Sequence, residues 1–119
     1  MPYKNAFSTI WDGLKELFRS IVNTIKVIFR KVLNFFKDVV EHFKKLNLNP
    51  EKDTPFVIDA GKLGEQIKDV PRVKMGIFEG VYHEDTNTIT DYREIEAGEF
   101  DERTKEVMSQ ARDGIVALS

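Results

Sequence analysis

The sequence predicts an α+β protein. A long N-terminal amphipathic α-helix fills residues 1–46 and a linker follows at 47–55. A small C-terminal α+β domain over 56–119 supplies a β-hairpin, a short helix and a return strand. Three observations lead there. An apolar stripe holds a period of 3.6 residues from Phe7 to Leu46. Prolines then appear at Pro50 and Pro55, each disfavouring helix at the residue before it. Beyond them the apolar runs shorten and alternate with turn residues, as strands do.

The helix is read from its wheel. Phe7, Ile10, Trp11, Leu14, Leu17, Phe18, Ile21, Val22, Ile25, Ile28, Phe29, Val32, Leu33, Phe35, Phe36, Val39, Val40, Phe43 and Leu46 share one face at about 100° per residue. Val27 is the one apolar residue clearly out of phase. The opposite face is polar, and Lys15, Arg19, Lys26, Arg30, Lys37 and Lys44 run along one flank of it. Ile, Val and Phe are mediocre helix formers, so the stripe rather than propensity has to stabilise the element. A helix of this span is about 63 Å long, whereas a domain of some 70 residues spans roughly 30 Å. The stripe therefore calls for lipid, other copies of the chain or a partner protein.

The remaining elements follow in order. Phe56–Ile58 reads as a short strand, and Ala60–Lys68 as a marginal helix containing Gly61 and Gly64. Arg72–Tyr82 and Thr88–Ile95 read as two strands joined by a polar turn at His83–Asn87. Asp101 caps a helix reaching Ala111, with Phe100 placed as its staple. Asp113-Gly114 turns the chain into a last strand, Ile115–Leu118.

Charge divides the 119 residues in two. Residues 1–49 carry nine Lys/Arg against four Asp/Glu, a balance of +5; residues 50–119 carry nine against sixteen, a balance of −7. The basic half is also the aromatic half, with six of the nine phenylalanines and the single tryptophan. No stretch approaches the roughly 20 apolar residues of a membrane span, and Asp12, Lys15 and Glu16 interrupt the place where a secretory signal would lie. The absence of cysteine excludes disulfides, zinc–thiolate sites and thiol nucleophiles. A cytoplasmic protein, peripheral at the membrane, is the expectation.

Sites of chemistry are sparse. A calcium-loop reading of Asp85–Glu96 fails because Ile89 stands at a ligand position and Thr90 where the turn glycine belongs. Gly61–Gly64 lacks the spaced glycines and the Lys-Ser/Thr pair of a phosphate loop. His42 reads as a solvated residue, and the run Glu94, Glu96, Glu99, Asp101, Glu102 as a solubilising surface. The serines have no histidine placed to activate them. Nucleic acid is not a predicted partner, since the aromatics belong to the stripe and the acidic half repels phosphate. The sequence thus assigns no catalytic residue, no cofactor, no metal ligand and no small-molecule substrate. The expected function is a non-enzymatic assembly or adaptor protein on a membrane surface. Its apolar face would enter an anionic membrane, and its basic flank would contact lipid phosphates or an acidic partner. The alternative is a soluble homo-oligomer (ring, tube or filament) whose N-terminal helices form a shared core, or a subunit inserting that helix into a helical partner.

Overall fold

A five-stranded sheet organises the residues described by the computed structural model, which are 16–17, 19–21, 24–62, 75–111 and 114–118. The strands are β1 (Val27–Leu33), β2 (Asp53–Asp59), β3 (Gly76–His83), β4 (Thr88–Phe100) and β5 (Ile115–Ala117), in the spatial order β1-β4-β3-β2-β5. β3 and β4 form an antiparallel hairpin, and β2 runs antiparallel to both β3 and β5. β1 lies parallel to β4 at one edge. A π-helical turn, Phe36–Val40, continues into α1 (Glu41–Lys44), and α2 (Glu102–Ser109) follows β4.

Strand alternation divides the core between the two sheet faces. Phe56, Ile58, Phe78, Tyr82, Ile89, Ile115 and Ala117 form one cluster, against which Leu17, Ile21 and Ile25 pack. Val57, Ile77, Val81, Ile95, Ala97, Val116 and Leu118 point to the other face and meet Leu33, Phe35, Val39 and Phe43 from the β1–α1 segment and Val107 from α2. Both faces are therefore covered, in a helix–sheet–helix layering. Gly98 is needed for close approach: a Cβ there would lie 2.7 Å from the Lys31 carbonyl oxygen. Ala97 and Phe100, three apart, pack on the same cluster, so the alternation slips by one residue at this point.

Side-chain caps set the helix starts. Asn34 Oδ1 accepts from Lys37 N, and Asp38 Oδ2 accepts from Asn34 N at 2.9 Å. This is a reciprocal cap whose carboxylate sits one residue later than in the usual capping box. Asp101 accepts from Thr104 N at 2.8 Å to cap α2. Its own N–H donates to Leu33 O at 3.0 Å, tying the end of β1 to the start of α2.

The long N-terminal helix is overturned. Residues 27–33, deep inside its expected span, are strand β1, and residues 36–44 are a short helix in the same sandwich as the C-terminal strands. Ile28, Phe29, Val32 and Leu33 satisfy a helical wheel, but they and Val27 are also residues that favour a pleated surface. Alongside β4, Leu33 and the following Phe35 enter the core, a burial that a helix projecting alone does not give them. Val27, the residue out of phase on the wheel, starts that strand. Phe7, Ile10, Trp11, Leu14, Lys15, Phe18 and Val22 lie outside the described residues, as does the expected helix beyond Lys62. The C-terminal hairpin, the helix capped by Asp101 and the last strand occupy the segments the pattern assigns to them, in a mixed five-stranded sheet that it did not anticipate.

Candidate functional site

Among the described residues, most of the exposed apolar surface lies on and just after the edge strand β1. Glu94 N donates to Lys26 O at 2.9 Å, so in the parallel ladder the even-numbered residues at the start of β1 face β4. The backbone groups of Val27 and Phe29 consequently face outward. Their side chains are exposed as well, Val27 at 45% and Phe29 at 60%, with Val32 at 42% and Phe36 at 54% alongside. Among the described residues, only Met75 joins these four as an exposed large hydrophobic group.

Cations fringe this apolar strip. Lys26, Lys31, Lys37 and Lys44 are exposed, and Lys44 Nζ lies 5.4 Å from the centroid of the Phe36 ring. Arg30 bridges the strip and the helix behind it. Its Nε donates to Asp38 Oδ1 at 3.1 Å, and its Nη1 donates to Phe29 O at 3.1 Å. Arg30 thus covers one of the outward carbonyls of the edge.

A buried polar cluster fixes the helix beside this edge. Glu79, fully buried on β3, accepts from Arg93 Nε, while Arg93 Nη2 donates to Asp38 O at 2.8 Å. His42 Nε2 lies 3.7 Å from Glu79 Oε1. Burial lifts the Glu79 carboxyl to about 7 even though the Arg93 guanidinium pulls it down. Burial, then the Arg93 charge, lowers His42, which holds the imidazole neutral. Arg93 is the link that carries the π turn on the sheet. Glu94 faces the opposite side beside Val27 and Phe78. It is buried with no hydrogen-bond partner for either oxygen among the described residues, and burial, helped by Glu96, raises its carboxyl to about 7.

One arrangement has the outline of a nucleophile relay. His83 Nδ1 is 2.7 Å from Asp53 Oδ1, and His83 Nε2 is 2.6 Å from Thr90 Oγ1. The Thr90 hydroxyl, however, donates to Asp91 Oδ2 at 3.0 Å, so its proton is directed to that carboxylate and not to the imidazole. The Asn49 N–H, then the His83 ring, hold the Asp53 carboxyl below its usual range. The network reads as a clamp joining β2, β3 and β4 at their shared end. No group of three or more His, Asp or Glu among the described residues is arranged to hold a metal ion.

The residues expected to form one apolar face are dispersed. Leu17, Ile21 and Ile25 meet the first cluster; Leu33, Phe35, Val39 and Phe43 are buried in the second, with Ile28, Val40 and Leu46 at its margin. Only Phe29, Val32 and Phe36 stay open. Of the basic flank, Arg19 pairs with Glu16 at 2.5 Å and Arg30 with Asp38, while Lys26, Lys37 and Lys44 reach solvent. His42 and Glu94, read as solvated, prove half-buried and buried. The sequence signal for this cluster was a glutamate inside the apolar run Ile77–Tyr82, facing Arg93 across the hairpin.

No protein-family model, curated protein or solved structure matches the chain. No helix among the described residues is long and apolar enough to cross a membrane.

Proposed function

We propose that this chain is a non-enzymatic assembly or adaptor module that docks another polypeptide through the β1 edge. The observation that carries this reading is the outward-facing backbone of Val27 and Phe29 together with their exposed side chains. Edge strands are normally blunted because unpaired N–H and C=O groups template further pairing. Here Lys26, Arg30 and Lys31 guard the strand against a like-charged copy, while Val27 and Phe29 between them stay exposed. A cysteine-free chain suits the cytoplasm, and the strip and its lysines also suit the face of an anionic membrane. The membrane is the second reading, favoured by Phe29 and Phe36 standing among Lys26, Lys37 and Lys44. A polypeptide takes precedence because lipid tails offer no partners to the edge amides.

The test compares wild type with Phe29→Asp and Lys37→Glu by light scattering, and by co-sedimentation with phosphatidylcholine vesicles with and without phosphatidylserine. A docking edge predicts that the exchange of the Val27 and Phe29 amides slows when the protein associates, and that Phe29→Asp abolishes association. Association that leaves those amides unchanged overturns edge docking. Binding confined to phosphatidylserine vesicles, weakened by Lys37→Glu at low salt, transfers the function to the membrane.

A further inference from the structure

We propose that the β1 edge selects an extended acidic peptide, adding it as a sixth strand, with Arg30 as the latch that opens to receive it. This inference rests on the edge-docking reading and specifies the partner. The backbone of the edge sets the geometry. The N–H and C=O of Val27 and Phe29 face away from β4, so an incoming strand meets these groups in alternation. One of them, Phe29 O, is held by Arg30 Nη1 at 3.1 Å. An incoming N–H that takes this carbonyl displaces Nη1. The Arg30 Nε contact to Asp38 Oδ1 does not depend on Phe29 and anchors the guanidinium as Nη1 leaves. The freed end of the fork then faces the added strand with unsatisfied donors, which a carboxylate satisfies best.

Charge decides the occupant. Residues 26–33 hold Lys26, Arg30 and Lys31 and no acidic residue. Pairing β1 with β1 of a second copy would set these cations against one another, and like charges on paired strands are destabilising. The same three cations favour a partner of opposite sign. Alternation supplies the second half of the specificity. Val27 and Phe29 lie on the sheet face of their partners Glu94 and Glu96, whereas Ile28 packs with the cluster on the other face and Arg30 reaches Asp38 there. The fitting peptide therefore carries apolar residues on the Phe29 side and carboxylates on the Arg30 side.

The experiment titrates the full chain into fluorescein-labelled peptides and reads anisotropy, with amide exchange on the same mixtures. The probes are an alternating Val/Glu peptide, its Val/Lys counterpart, and the Val/Glu peptide N-methylated at alternate residues to remove its pairing face. The expected result is binding of the Val/Glu peptide, slowed exchange at Val27 and Phe29, and binding about tenfold or more weaker for the other two. Arg30→Ala and the double variant Lys26→Glu/Lys31→Glu should each narrow the gap between Val/Glu and Val/Lys. The double variant leaves the Asp38 contacts in place, so it answers even if Arg30→Ala does not fold. Equal binding of Val/Glu and Val/Lys with protected edge amides overturns the acidic preference and leaves edge docking standing. No protection by any peptide, with wild type forming oligomers or sedimenting with phosphatidylserine vesicles, overturns the acidic-strand partner.

Discussion

The two edges of the sheet are managed differently. β5 is three residues long, all buried, and its pairing with β2 is extended at one end by the Asp59 N–H to Gly114 O bond and at the other by the Leu118 N–H to Pro55 O bond, both 2.8 Å. Shortness and burial leave that edge little to offer another chain. β1 at the opposite edge has seven residues, three of them apolar and open to solvent (Val27, Phe29 and Val32), and an arginine over one carbonyl. A strand can be indispensable on one side and available on the other. The inner side of β1 and the residues after it supply Leu33, Phe35, Val39 and Phe43 to the core, while the outer side supplies Phe29 to solvent.

The largest test of that division removes the segment altogether. A chain starting at residue 50 keeps β2 to β5 but uncovers Ile77, Val81, Ile95 and Ala97 on one sheet face and loses the covering of Phe56 and Phe78 by Leu17, Ile21 and Ile25 on the other. We expect it to lose cooperative thermal unfolding, measured by circular dichroism; a sharp transition would show that the four remaining strands suffice. Phe35→Ala comes next, expected to cost about 3–5 kcal/mol in urea unfolding because a fully buried ring leaves a cavity. Gly98→Ala should cost about 1–3 kcal/mol, since its methyl would meet the Lys31 carbonyl and one strand must shift.

The pH dependence sharpens the comparison on the central hairpin of β3 and β4. Glu79 and Glu94 both titrate at about 7 in the folded protein against 4.5 ordinarily. The folded state therefore binds more protons than the unfolded state between those values. Their stabilising contribution is full below about pH 4.5 and is lost as pH rises through about 7. His42, lowered by burial, works the other way, since its contribution is lost as pH falls below the ordinary 6.5. With two carboxyls against one imidazole, the melting temperature should fall between about pH 5 and about pH 8. Glu94→Gln should flatten that slope and raise the melting point at the alkaline end. Glu79→Gln should lower it above about pH 7, where Glu79 is the carboxylate to which Arg93 donates. A wild type whose stability rises steadily over this range would refute the reading. Phe29→Ser is the smallest change, expected within about 0.5 kcal/mol of wild type in the same unfolding measurement because the side chain is open to solvent.

Legibility followed the range of the interactions. The hairpin, the Asp101 cap and the final strand were readable because each is set by neighbours in sequence: a polar turn at 84–87, a carboxylate three residues before the N–H it accepts, and a glycine at φ 83° before β5. The docking edge was only half readable. Phe29, Val32, Phe36 and the lysines were marked as apolar and basic, but they were assigned to a single helical face together with Leu33, Phe35, Val39 and Phe43, which are buried. The clue was Val27, out of phase on the wheel because its true period is two.

By itself, the sequence determined local matters: where turns and caps fall, which residues are apolar, and that a basic aromatic half precedes an acidic one. Only the tertiary structure decided that residues 27–33 extend as a strand. A run such as Ile28-Phe29-Arg30-Lys31-Val32-Leu33 satisfies both a 3.6 and a looser strand pattern, and its conformation depends on what pairs with it. The partner is β4, some 67 residues downstream in register, Val27 beside Glu94 and Ile28 beside Ile95. That pairing also decides which glutamates are buried and which apolar side chains stay outside. A periodicity confined to residues 1–46 carries no information about a strand that begins at Thr88.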